Sequence, residues 1–210
     1  MKPPLQLNLG LLTHFEAPGV FTRIDPAVFA AMSPLREVLE RVKGCVHFSH
    51  RMKADFAHRL TPTADEVDSR RKYLRATLSE YASMEDAAKI DFASLGKPLP
   101  PRMRSLTDPR IHVVRLLRHA NIHLAATPLS HSHRGAVWRG PDGEHEFQYL
   151  VVTAEDVASS VRRTNEAKAY ASSDLLEMIR WLECEQQEWG IGHVVLRSAE
   201  TYGRYLAAAL

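Results

Sequence analysis

Six polar side chains crowd one apolar stretch, Ile111–Ala125, which reads IHVVRLLRHANIHLA: His112, Arg115, Arg118, His119, Asn121 and His123. Histidine titrates near neutrality and so gives or takes a proton under ordinary conditions. Arginine stays charged and offers a planar fork of donors that suits phosphate oxygens. His119 and His123 lie four residues apart, which on a helix lets two imidazoles reach one metal ion. Burying this many polar heads costs free energy unless they are paired or line a cleft. The stretch is therefore the place to look for a site.

Two constellations compete on it. At about 100° per residue, His112, Arg115, His119 and His123 fall within one arc of about 80°, while Arg118 lies further round the cylinder. The first constellation, histidines on a metal, lacks an acidic or cysteine ligand in this basic stretch, and Arg115 on the same arc repels a cation. No metal and no cofactor is assigned. The second is Arg118-His119-Ala-Asn121-Ile-His123, an arginine and a histidine separated by four residues.

This second pattern resembles the signature of the HEPN superfamily (higher eukaryotes and prokaryotes nucleotide-binding domains), in which an Arg is followed after four to six residues by a His. The commonest form has Asn directly after the Arg; here His119 takes that place and Asn121 comes two residues later. The resemblance covers roughly residues 34–190. It implies an all-helical bundle of the kind found in toxins, abortive-infection proteins and CRISPR-associated ribonucleases. The expected activity is metal-independent endoribonucleolytic cleavage. Arg118 and His123 would then carry the chemistry, with Asn121 or His119 orienting. Such domains usually pair, which implies a homodimer with both motifs facing one cleft. RNA or a nucleotide is the implied ligand, and a cognate antitoxin or a nucleotidyltransferase the implied protein partner. Two other readings stay open. One is a catalytically silent helical module that binds a nucleotide, a nucleic acid or a protein. The other is purely structural, with Arg118 and His119 bridging to the acidic second half of the chain.

Charge distribution supports an anionic ligand better than net charge does. The formal net charge is only +2. Yet from Ala93 to Pro141 eight Lys/Arg face a single acid, Asp108, and from Asp142 to Glu188 eleven Asp/Glu face four Lys/Arg. Arg102, Arg104, Arg110 and Arg115 are the expected phosphate-binding residues of the basic segment. The two cysteines, Cys45 and Cys184, lack metal-like spacing and sit in apolar helical patterns, so reduced, buried thiols are expected. No apolar run has membrane-spanning length, and the N-terminus has no signal-peptide core, so a cytoplasmic protein without membrane contact is the expectation.

The elements that must position these residues follow from apolar spacing. With 210 residues, 45% of them apolar, the chain is expected to form a single, mainly α-helical domain (1–210) with a small β-hairpin inserted at about 134–152. Residues 1–24 form an irregular arm. Asp25-Pro26 opens a short helix, and Ser33-Pro34 opens a long one to about His58 or Leu60, whose His47, His50 and His58 are read as ordinary polar residues. Thr63 and Glu66 stand at capping-box spacing before a helix to about Ile90, with Arg70, Arg71, Lys72 and Arg75 on its solvated face. A proline-rich loop, 91–108, leads to Asp108-Pro109 and the central helix. Beyond the hairpin come a helix capped by Thr153 and Asp156, another over 173–189 stopped by Gly190, and a last one over 191–208.

Overall fold

The computed structural model describes residues 3–15, 24–52, 54–55, 63–123, 131–140 and 143–210. Among them, helices dominate and one hairpin supplies nearly all the strand, as the apolar spacing predicts.

Helix α1 (Pro26–Ala31) starts where Asp25 accepts a hydrogen bond from the Ala27 N–H, with proline in the first turn. Helix α2 (Arg36–Arg51) buries Val38, Val42 and Cys45, with Leu35 buried at its N-cap, the stripe read from the sequence. Its start is capped from elsewhere. Leu35 has no capping side chain, and the buried Asp91 carboxylate accepts from the backbone N–H groups of Glu37 (3.2 Å) and Val38 (3.0 Å). The helix also ends earlier than expected. Past Arg51 the chain becomes a two-residue strand, β1 (Ala54–Asp55), which pairs with Gln148 and Phe147 of the hairpin. An exposed strand edge has unpaired backbone donors and acceptors, and β1 fills part of that edge. His58 lies outside the described residues.

Helix α3 (Ala64–Ser94) begins with the anticipated capping box: Glu66 N–H donates to the Thr63 hydroxyl at 3.2 Å, and Thr63 N–H donates to the Glu66 carboxylate at 2.6 Å. It runs one turn beyond the expected end. Gly96, at φ 65°, then takes the left-handed position, and Lys97 N–H closes back on Phe92 O at 2.9 Å. Arg70 departs from the expected solvated face and is only 4% exposed.

Helix α4 (Pro109–His123) is the central helix. The Asp108 carboxylate accepts from Arg110 N–H at 3.0 Å, which secures the first turn. Ile111, Val113, Val114, Leu116, Leu117 and Ala120 are all buried, so apolar side chains point to every side, and α3, α5 and α6 pack around it.

The hairpin consists of β2 (His131–Gly140) and β3 (Gly143–Val152), paired antiparallel from His131↔Val152 to Gly140↔Gly143. It starts three residues before the expected Arg134. The sheet order is β1-β3-β2. Helix α5 (Ala154–Arg162) follows without the expected cap: the Thr153 side chain accepts from no backbone N–H of the first turn, and its hydroxyl donates instead to the Asp156 carboxylate. Helix α6 (Ser172–Ala208) is continuous except at Gly190, whose φ is 78°. A Cβ there would also sit 2.8 Å from Tyr149 Cβ and 2.9 Å from Leu150 O, so both the backbone turn and the close approach of β3 require glycine. Gln186 holds the hairpin to α6, accepting from Val152 N–H at 2.9 Å and donating to Val152 O at 2.6 Å.

The N-terminal arm lies against this frame. Leu5 N–H bonds Ala169 O at 2.7 Å, Trp181 Nε1 donates to Thr13 O at 3.1 Å, and Phe15 N–H donates to the Glu185 carboxylate at 2.9 Å. Cys45 is buried as expected, and burial pushes its thiol well above the ordinary range. Cys184 is exposed, contrary to expectation, because it falls on the outer side of α6. Among the described residues no helix is long and apolar enough to cross a membrane.

Candidate phosphate site between α3 and α4

The polar side chains of α4 divide into two groups. His112, fully buried, is engaged at both ring nitrogens: Nδ1 lies 2.8 Å from the Tyr170 hydroxyl and Nε2 2.7 Å from Leu106 O. A carbonyl can only accept, so Nε2 carries the proton and Nδ1 accepts from the tyrosine. Burial lowers the His112 pKa, the neighbouring Arg115 lowers it further, and the bond to Leu106 opposes the shift. Burial likewise raises the Tyr170 phenol to about 12. His112 is therefore a neutral core histidine with no nitrogen left for a metal. Arg110 is also committed. Its Nε and Nη2 grip the Asp108 carboxylate at 3.0 and 2.7 Å, and its guanidinium lies 5.5 Å from the Phe15 ring centre.

Arg115, Arg118 and His119 instead line a cleft of about 220 Å³ between α3 and α4. Tyr81, Ala82, Glu85 and Asp86 of α3 form the opposite wall, and Met103 from the short turn Met103–Ser105 closes one end. Tyr81 is immobilised by donating to Ile111 O at 3.1 Å. Glu85 accepts from Met103 N–H at 3.1 Å, and Asp86 holds Lys89 Nζ at 2.6 Å. Arg115 Nη2 stands 2.9 Å from Glu166 Oε1, within ion-pair distance but not aligned as a hydrogen bond. Among the described residues, this pair joins the basic segment to the acidic second half through Arg115.

Two donors on these side chains are left over. Arg115 Nη1 and Arg118 Nε are shielded from solvent and have no hydrogen-bond partner among the described residues. A buried guanidinium donor without an acceptor is costly, of order 1–3 kcal/mol or more for a charged group. Both donors occur on side chains that line the same cleft.

The remaining expected site residues fall differently. Arg102 and Arg104 are exposed on either side of the cleft-lining Met103. Asn121 and His123 lie on the last turn of α4, but their side chains are outside the described part of the structure. Glu85, Asp86 and Glu166 carry no motif that marks them in the sequence. The usable signal for Glu85 is its place one turn beyond Tyr81 on α3, which puts a carboxylate at the border of the inward face. Among the described residues there is no cluster of three His, Cys, Asp or Glu that could hold a metal ion. No protein-family model, curated protein or solved structure matches the chain.

Proposed function

We propose that this protein is a HEPN-like, metal-independent endoribonuclease of a toxin or phage-defence type. The observation that carries the reading is the pair of orphaned buried donors, Arg115 Nη1 and Arg118 Nε, on side chains of one cleft beside His119. Two guanidinium groups suit the crowded, doubly charged phosphorane of RNA cleavage, and they need no metal to neutralise it. In this reading Arg118 clamps the phosphate and Arg115 adds a second donor. His123 exchanges the proton between the 2′-hydroxyl and the departing 5′-oxygen, with His119 or Asn121 orienting. The bond formed joins the 2′-oxygen to phosphorus and the bond broken releases the 5′-oxygen, leaving a 2′,3′-cyclic phosphate. Paired copies would bring two such motifs to one interface, burying well over about 1,000 Å² in total.

End-labelled single-stranded RNA incubated with chelator tests it. Wild type should cut RNA and spare DNA, and Arg118→Ala or His123→Ala should slow cleavage by about 10²–10⁴ with the melting temperature kept. Activity that dies with chelator, or wild type that cuts no RNA, would end this reading.

A second reading, a silent module that binds a nucleotide, draws on the opposite wall. Glu85 and Asp86 add negative charge to the wall of a cleft of about 220 Å³, which admits one phosphate and disfavours its neighbours on a continuous strand. Tight binding of a mononucleotide without any cleavage of RNA would favour it.

A further inference from the structure

A second concavity lies between α1 and α2. Ile24, Phe29, Val42 and Val46 form its apolar side, and Lys43, His47, His50 and Arg51 its polar side. Its volume, about 670 Å³, is three times that of the α3–α4 cleft. No carboxylate lines it among the described residues. Lys43, His47 and Arg51 recur at four-residue intervals, so they form a row along α2 with steps of about 6 Å and a length of about 12 Å. All three are exposed. Across from the row, Phe29 leaves 40% of its surface in water, a large apolar exposure for one residue of a six-residue helix.

From this arrangement we infer that the α1–α2 groove is a binding track for single-stranded RNA, separate from the cleft on α4. Two cations set along a groove, here Lys43 and Arg51, beside an exposed aromatic ring on which bases stack, are the recurring device for holding single strands without reading their sequence. The steps of the row are comparable to the spacing of successive phosphates in an extended strand. Lys43 is already near Glu40 (2.6 Å), but both groups are more than half exposed, and such a pair exchanges readily for a phosphate. A duplex buries its base faces and so cannot use Phe29. The inference rests on the RNA reading for its choice of ligand, and it adds where the strand is held before it is cut.

Binding can be separated from cleavage with a fluorescent 2′-O-methyl oligouridylate, which lacks the attacking hydroxyl. Its fluorescence anisotropy should report binding that weakens steeply with salt. Lys43→Glu/Arg51→Glu should lower affinity at least tenfold and reduce the slope of log affinity against log salt by about 1.4, roughly 0.7 for each cation that no longer neutralises a phosphate of a single strand. Phe29→Ser should cost about tenfold with little change in slope. Should the charge-reversed protein fold poorly, Lys43→Gln/Arg51→Gln should show the same change in slope. RNA duplex of equal length should bind at least tenfold more weakly. Equal affinity of wild type and groove variants, or no binding by wild type, overturns the proposal. So does a melting temperature that rises with decanoate while oligonucleotide binding is indifferent to it, since that describes a site for an amphiphilic anion. Absence of cleavage on unmodified RNA would sink the ribonuclease reading alone and leave the binding result standing.

Discussion

At the start of α4, Asp108, Arg110 and His112 hand their polar atoms to one another, to Tyr170 and to Leu106 O, whereas one turn later Arg115 and Arg118 each keep a sealed donor with no acceptor among the described residues. The same helix, with similar residue types, thus treats its two halves in opposite ways. Where every partner is present, a buried polar group fixes geometry and specifies packing. Where partners are missing, the fold carries an uncompensated cost. The contrast separates satisfied from unsatisfied polar groups of one helix more sharply than residue type or spacing can.

Substitutions in the two halves should therefore have opposite signatures. The largest effect belongs to the cleft: Arg118→Met should lower RNA cleavage by about 10²–10⁴ while leaving thermal stability unchanged or slightly raised, because it removes an orphaned donor along with the clamp. A loss of stability without a loss of cleavage would erase the distinction. In the other half, His112→Ala strands the Tyr170 hydroxyl and Leu106 O and opens a cavity. It should cost about 3 kcal/mol, read as a fall in the urea midpoint at constant slope, with cleavage by the folded fraction retained.

The pH dependence sharpens the same point. His112 has a folded-state pKa below its unfolded value of 6.5. The unfolded chain therefore takes up a proton that the native protein refuses. Its contribution to stability is complete above about pH 6.5 and declines as pH falls below it towards the folded value. Denaturation midpoints followed downward from pH 7 should fall less steeply in His112→Phe than in wild type.

Smaller again is the remote cap on α2. Asp91→Ala removes the acceptor for Glu37 and Val38 N–H and should cost about 1–2 kcal/mol by chemical denaturation, without touching the cleft. The smallest effect expected is at the cleft's rim. Lys89→Ala frees the Asp86 carboxylate and should weaken inorganic phosphate binding by about twofold at low salt, vanishing at high salt. A large or salt-independent change would mean that Lys89 itself touches the anion.

The amino-acid sequence by itself determined the elements whose signals lie within a few residues of one another. Asp25-Pro26, Thr63 with Glu66, and Asp108-Pro109 start helices because cap and first turn are local chemistry, and Gly190 breaks α6 because its φ is closed to other side chains. The apolar spacing of Val38, Val42 and Cys45, and of Leu74, Leu78 and Tyr81, chose the buried faces for the same reason. The crowding of polar residues on Ile111–Ala125 also marked the helix that lines the cleft. Tertiary structure alone decided the rest. Ala54–Asp55 left a helical pattern for strand because a sheet edge was there to pair with, and Asp91 caps a helix more than fifty residues away. Above all, only the packed neighbours decide which polar heads are satisfied. His112 met Tyr170 and Leu106 O, Arg115 met Glu166 with one nitrogen only, and Arg118 Nε met no acceptor among the described residues, because whether a donor has a partner is set by residues from other elements and not by its own.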